Sequence, residues 1–256
     1  MSHSHERPEP LAAAQRLWSE RYPSARVVFC GGSVVRGEGF PSSDLDVVVV
    51  FDKVANAWRE SFLFAGWPVD VFAHDPETLA YFVGQDCARG RPSLAQMLSE
   101  ALVVPAATSA TRAIQAWAMR LIAARPAAPP TPALAEDRYL LTDLLSDFRD
   151  ERSGAELRAV ACQLYPLVCN FVLKTRGQWL GSGKTLPRLV QTSAPSVGHL
   201  IENAFEAFFK TGDRTEVLRV VQEVLEPFGG QLFDGYRSDA PAAARLPAAD
   251  VPWSLA

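Results

Sequence analysis

A glycine-rich turn and a pair of aspartates are the residues of this 256-residue chain whose types and spacing indicate chemistry. Gly31-Gly32-Ser33 follows a short apolar run, and Asp44-Leu45-Asp46 leads into the valine-rich run 47–51. If both aspartates lie on a strand, their side chains share one face, because side chains alternate along a strand. Two neighbouring carboxylates repel each other, so we interpret them as ligands of Mg²⁺, which prefers carboxylate and phosphate oxygens. The glycines let backbone N–H groups approach a phosphate closely.

A phosphate-holding turn opposite metal-holding carboxylates is the equipment for phosphoryl or nucleotidyl transfer. The order Gly32-Ser33, Arg36-Gly37 and Ser43-Asp44-Leu45-Asp46 resembles the motif of the polymerase-beta-like nucleotidyltransferase superfamily. It is most similar to the small bacterial members, which include the aminoglycoside-type and the minimal nucleotidyltransferases. The alternative is a solvated loop whose residues favour turns.

This resemblance implies a role for each motif residue. Gly32 and Ser33 would hold the terminal phosphates of a nucleotide, and Asp44 and Asp46 would bind two Mg²⁺ ions. The family has a third carboxylate on a later strand, and we carry that role to Asp70, within the apolar run 69–73. A lone carboxylate in an apolar strand is costly unless it is paired or metal-bound. The alternatives are an aspartate that faces water and one that pairs with an arginine.

Two cations are further candidates for binding the nucleotide. Arg36 is placed to neutralise phosphate charge, and a structural salt bridge is the alternative. Lys184 follows glycines in a stretch similar to a P-loop, but the glycine spacing differs and no strand precedes it, so we reject that motif. The resemblance to antibiotic-modifying enzymes implies instead that Lys184 reaches the site from a helical domain, and a loop that only joins two helices is the alternative. Those enzymes also have an acidic base there, and the candidates, with a solvated acidic stripe as the alternative, are Asp143, Asp147, Asp150 and Glu151.

The elements that must position these residues are strands in the first part of the chain. Apolar runs at 26–30 and 47–51 predict buried strands, and Gly31–Ser33 is expected to open a short helix. Residues 58–64 and 69–74 predict a hairpin around turn residues 65–68. Asp75, the weaker rival of Asp70, is interpreted as the N-cap of a helix that starts at Pro76. A final short strand is expected over 101–104.

The rest of the chain has helical periodicity, with a proline-rich linker over 126–132 and Pro166 expected to interrupt the helix 155–174. We therefore predict an α+β fold. Its small mixed-sheet nucleotidyltransferase core comprises residues 1–105, and an all-helical C-terminal domain comprises residues 106–256. The resemblance implies that the second domain binds the substrate.

Composition excludes several classes of protein. The chain is 48% hydrophobic and 21% charged, which is ordinary for a soluble globular protein. Its net charge of −4 disfavours a long nucleic acid as partner. The apolar runs are shorter than a membrane span and the first ten residues are polar, so we predict a cytoplasmic protein. His3 and His5 fall in that polar start, where disorder is expected rather than metal binding.

The predicted reaction moves a nucleoside monophosphate, AMP from ATP as co-substrate, onto a hydroxyl of a small-molecule acceptor and releases pyrophosphate. An aminoglycoside-like antibiotic is one such acceptor. One alternative is transfer of AMP to a protein side chain, as in toxin–antitoxin nucleotidyltransferases. Another is a catalytically silent member that binds a nucleotide or a partner protein. The sequence identifies neither the acceptor nor the base, and it does not give the oligomeric state.

Overall fold

The computed structural model describes residues 7–150, 152–247 and 250, so His3, His5 and Glu151 lie outside the described residues. The chain divides into two compact units, Met1–Ala127 and Ala128–Ala256. Among the described residues, the first unit contains a sheet and helices, whereas the second contains helices. This α+β architecture, with a helical C-terminal region, confirms the predicted fold class.

The first unit carries five strands and four helices within its described part. In chain order they are α1 (Pro10–Arg21), β1 (Val27–Gly31), β2 (Leu45–Val50), β3 (Trp58–Phe64), β4 (Trp67–His74), α2 (Pro76–Ala88), α3 (Ser93–Glu100), β5 (Leu102–Val104) and α4 (Ser109–Ala124). The sheet order is β3-β4-β2-β1-β5. Strands β2 and β4 are parallel, and the other neighbouring strands are antiparallel, so the sheet is mixed.

Both faces of the sheet are covered, which explains the nearly unbroken apolar run of β2. On one face, Val47 and Val71 are buried in a cluster with Leu17 of α1. On the other face, Val48 is buried with Leu98 of α3 and with residues of α2 and α4. Because side chains alternate, the even-numbered positions of β2 and β4 lie on the face that α2 and α3 cover.

Three expectations about local structure need correction. Gly31 is the last residue of β1 and residues 33–37 form a turn, so Gly31–Ser33 does not open a helix. The N–H of Glu38 donates to the carbonyl of Ser33 at 2.9 Å and closes a tight loop. Strand β4 begins at Trp67, because Ala65 and Gly66 alone make the hairpin turn, both with positive φ. The helix over 154–174 continues through Pro166, since a proline costs one backbone bond and the packed apolar face of the helix offsets it.

The second unit is a set of helices around its own apolar core. Its described elements are a 3₁₀ turn (Thr131–Leu134), α5 (Ala135–Arg149), α6 (Gly154–Lys174), α7 (Thr185–Ser193), α8 (Pro195–Thr211), α9 (Thr215–Leu225) and a second 3₁₀ turn (Glu226–Phe228). Phe148, Phe171 and Phe205 are buried at its centre. No helix among the described residues is long and apolar enough to cross a membrane.

The boundary between the units lies after residue 127 because α4 packs against α3 and contributes Ala118 to the core above the sheet. The division expected from the sequence, a catalytic domain 1–105 and a substrate-binding domain 106–256, stays a prediction.

Candidate active site

The register of two parallel strands places two aspartates side by side. Asp46 of β2 is directly paired with Asp70 of β4, and adjacent strands lie about 4.8 Å apart. Asp44 immediately precedes β2, where the buried Ser43 orders the chain: its hydroxyl accepts a hydrogen bond from the N–H of Phe40 at 2.9 Å. The three aspartates therefore meet at one end of the sheet.

The three carboxylates form a compact cluster. One oxygen from each of Asp44, Asp46 and Asp70 lies within 4.8 Å of the others. Asp70 is buried, and the other two are half-buried. Three negative charges at this separation repel one another, so the arrangement requires positive charge nearby. An all-oxygen set of carboxylates is the donor chemistry that hard divalent cations such as Mg²⁺ prefer.

Part of the required positive charge comes from strand β3. Arg59 donates to Asp70 through two guanidinium nitrogens, with its Nε 2.9 Å from Oδ1, and the hydroxyl of Ser61 donates to the same oxygen at 2.9 Å. The pKa of Arg59 is raised, first by its hydrogen bonds to Asp70 and then by charge, including the charges of Asp46 and Asp44. Arg59 therefore interacts with the whole carboxylate cluster.

The glycine-rich turn lies against the same cluster. Gly31 pairs with Asp46 in the sheet, and Gly32 follows with φ +83°, a conformation that residues with a side chain rarely adopt. A Cβ at Gly32 would collide with the carboxylate of Asp46. Gly32 therefore leaves the space that this carboxylate occupies. Ser33, the next residue, is half-buried beside it.

Arg36 forms two ion pairs in the structure. Its guanidinium pairs with Glu100 at the end of α3, and its Nε lies 3.4 Å from a carboxylate oxygen of Glu38. These contacts tie the loop after the turn to α3. A phosphate would have to compete with two carboxylates for this cation, so the geometry favours the structural alternative for Arg36.

Asp75, the rival for the third carboxylate, caps a helix. Its side chain accepts from the N–H of Thr78 at 2.9 Å and from that of Val54 at 3.2 Å, with Pro76 at the first helical position. These backbone donors lower the pKa of Asp75 well below its ordinary value. The predicted N-cap is confirmed.

The remaining candidates lie in the second unit. Lys184 is exposed and directly precedes α7, in a loop between two helices. Asp143 is exposed on α5, whereas Asp147 and Asp150 both pair with Arg152. Their roles as nucleotide-binding lysine and general base stay predictions.

Arg59 and Ser61 are the site residues that the sequence did not indicate. The length of the hairpin turn could have indicated both residues. A two-residue turn at Ala65 and Gly66 sets Ser61 directly opposite Asp70 and Arg59 on the diagonal, within reach of a long side chain. The four-residue turn expected from the sequence gives a different register, in which Ser61 is not opposite Asp70.

Comparison with known proteins supports a nucleotide-transfer site. Residues 13–84 match the family model described as "Nucleotidyltransferase domain", a segment that runs from α1 into α2 and includes the turn and all three aspartates. No curated protein matches the sequence. Among solved structures, the chain is similar to a nucleotidyltransferase-like protein from Exiguobacterium sibiricum 255-15, with 11% identity over 85% of this chain and 73% of that one. The TM-score is 0.43, so this similarity carries no argument of its own.

Proposed function

We propose that this protein is an enzyme that transfers AMP from ATP to a hydroxyl of a small-molecule acceptor and releases pyrophosphate. The match of residues 13–84 to the nucleotidyltransferase domain model supports this proposal. The cluster of Asp44, Asp46 and Asp70 carries the proposal, because three carboxylates converge within 4.8 Å inside the matched segment. Such a cluster weakens the fold unless cations neutralise it. Gly32 has no side chain and therefore leaves room for the carboxylate of Asp46, which fits a site that holds ions.

The proposed cofactor is a pair of Mg²⁺ ions held by these three aspartates. When bound, the ions would neutralise phosphate charge and polarise the phosphorus that is attacked. Both oxygens of Asp70 are held in place by Arg59 and Ser61. This support keeps the carboxylate in one orientation.

The protein groups contribute binding, orientation and proton transfer. The turn at Gly32 and Ser33 would hold the β- and γ-phosphates through backbone N–H groups and the serine hydroxyl. The acceptor oxygen forms a bond to the α-phosphorus, and the bond from that phosphorus to the pyrophosphate oxygen breaks. The hydroxyl proton passes to a carboxylate, and we propose Asp70 for this step because it is a carboxylate fixed beside the reacting centre.

The proposal also includes roles for Arg36 and for residues of the second unit. Arg36 would reach phosphate only by leaving Glu38 and Glu100. Lys184 and the acidic residues of α5 would act from the second unit, which we propose to bind the acceptor. An aminoglycoside-like acceptor remains one candidate, and a cytoplasmic location fits this chemistry.

A direct test incubates the protein with each of the four ribonucleoside triphosphates, Mg²⁺ and a panel of hydroxyl-bearing acceptors, and measures pyrophosphate. We expect release with ATP that depends on the acceptor and is lost on addition of EDTA. Asp46→Asn should lower turnover by several orders of magnitude, because it removes a metal ligand. Asp52→Asn is the matched control, since Asp52 follows the other end of β2 and pairs with Arg26. Near wild-type activity of Asp46→Asn would disprove the metal site.

A further inference from the structure

A pocket opens in the first unit beside the carboxylate cluster. It has a volume of about 450 Å³ and lies between the hairpin β3–β4 and helices α2 and α3. Its walls include two aromatic side chains, Phe72 and Phe82, together with His74 and the charged residues Arg59 and Asp86. We call it the β4 pocket. None of the assignments made above uses it.

Strand β4 connects this pocket to the site. Asp70, Phe72 and His74 lie on one face of the strand because they alternate along it. The distance from Asp70 to His74 along the strand is four residues, or about 13 Å. Arg59 bridges the two regions: its guanidinium binds Asp70 and also lies over the ring of Phe72, 5.0 Å from the ring centre. The pocket therefore begins where the carboxylate cluster ends.

The walls of the β4 pocket suit a flat, uncharged ring. Phe82 is 39% exposed, so part of its aromatic surface is free to stack on a ligand. His74 is only 5% exposed and packs 5.6 Å from Phe82, measured between ring centres, and its Nδ1 has no hydrogen-bond partner among the described residues. Burial lowers the pKa of His74, so the ring is neutral at pH 7.

The order of the strands gives the direction in which a nucleotide would lie. The phosphate-binding turn follows β1, the carboxylates are on β2 and β4, and the pocket is on β4 and β3. A nucleoside triphosphate has its groups in the same order: terminal phosphates, α-phosphate, then sugar and base. With the terminal phosphates at Gly32 and the α-phosphate at the aspartates, the nucleoside extends across β4 into the pocket.

We propose that the β4 pocket binds the base of the nucleoside triphosphate, stacked against Phe82. This inference rests on the proposed function and adds the residues that recognise the nucleoside. The mainly apolar walls also argue against a polycationic acceptor at this position, since a polycation would need several carboxylates to replace its water.

The test separates the base from the phosphates. Calorimetry with the full chain compares the binding of MgATP with that of magnesium tripolyphosphate, which has no nucleoside. Phe82→Ala should weaken MgATP binding about tenfold, the usual scale for loss of one stacking partner, and leave tripolyphosphate binding unchanged. Trp58→Ala is the matched control, because Trp58 is also 39% exposed but its ring stacks on Phe51 and its indole N–H donates to Glu60, on the opposite face of the sheet.

The possible failures are distinguishable. If the folded Phe82→Ala protein bound MgATP like the wild type, the base would lie elsewhere and the proposed reaction would be unaffected. An increase confined to the KM of the acceptor would overturn the inference by making the pocket an acceptor site. Equal weakening of tripolyphosphate binding would show a general distortion and would also overturn it. If the wild type bound no nucleoside triphosphate, the proposed function would fall as well.

Discussion

Arg59 supplies the positive charge that the carboxylate cluster needs when no metal is bound, and its replacement by glutamine has two opposite consequences. The first is lower stability without metal, because Asp70 loses its paired cation beside two other carboxylates. The side chain of Arg59 is 64% exposed and that of Asp70 10% exposed. Solvent therefore screens the pair, and we expect a loss of about 1 kcal/mol in the free energy of unfolding in EDTA.

The second consequence is tighter metal binding. Two unit charges 4 Å apart interact by about 1 kcal/mol in water and by about 4 kcal/mol near a protein surface. Given the exposure of Arg59, removing its repulsion should favour a divalent ion by about 1–2 kcal/mol, or about five- to thirtyfold in the dissociation constant. Titration calorimetry with Mn²⁺ alone measures the dissociation constant of the metal. Thermal unfolding in EDTA and in excess Mg²⁺ measures the change in stability.

Arg26→Gln is the control for Arg59→Gln, since Arg26 is an exposed arginine paired with Asp52 away from the cluster. It should change neither quantity. The reasoning would be refuted if Arg59→Gln bound Mn²⁺ more weakly than the wild type. In that case the main effect of Arg59 would be to orient Asp70 for the metal rather than to compete with it.

Two other predictions follow from the same geometry. Asp70→Asn should lower kcat by orders of magnitude and make the rate depend more steeply on Mg²⁺. Lys184→Ala should lower kcat only about ten- to a hundredfold, as loss of one charge-assisted contact does. Steady-state rates over a Mg²⁺ titration compare the two variants, and a larger loss for Lys184→Ala would overturn the site. Burial lowers the pKa of His74 below its ordinary value of 6.5, so the unfolded chain binds more protons and the free energy of unfolding should decrease as the pH falls below about 6.5. Denaturant unfolding between pH 7 and 5 measures this decrease, which should be smaller for His74→Asn than for the wild type and unchanged for the control His199→Asn. The same decrease in His74→Asn and in the wild type would contradict this account.

Local signals in the sequence predict much of the first unit. The β-branched run of β2 and the sequence Asp75-Pro76 each depend on neighbouring residues alone, through side-chain preference and capping. The α+β fold class follows from the change between strand-like and helical periodicity along the chain. The spacing of Asp44 and Asp46 predicts two carboxylates on one face of a strand, and in the structure Asp44 lies directly before β2. These features need no knowledge of which strands are neighbours.

The environment of Asp70 depends on such knowledge. Its neighbour Asp46 comes from the parallel register of β2 with β4, and its partners Arg59 and Ser61 come from the antiparallel register of β3. A shift of one residue in the hairpin would turn Ser61 to the other face of the sheet. The sequence offered metal binding and an arginine salt bridge as alternatives for Asp70, but the geometry unites them, because the paired carboxylate is also part of the cluster.

Gly32 shows how one residue can satisfy two requirements that the sequence does not separate. The sequence explains this glycine by the approach of its backbone to a phosphate. The structure adds a second reason, because the space where a Cβ would lie is occupied by the carboxylate of Asp46. A larger residue would therefore displace a proposed metal ligand as well as block the phosphate. Binding of the metal alone distinguishes the two effects, since a metal without phosphates depends only on the position of Asp46.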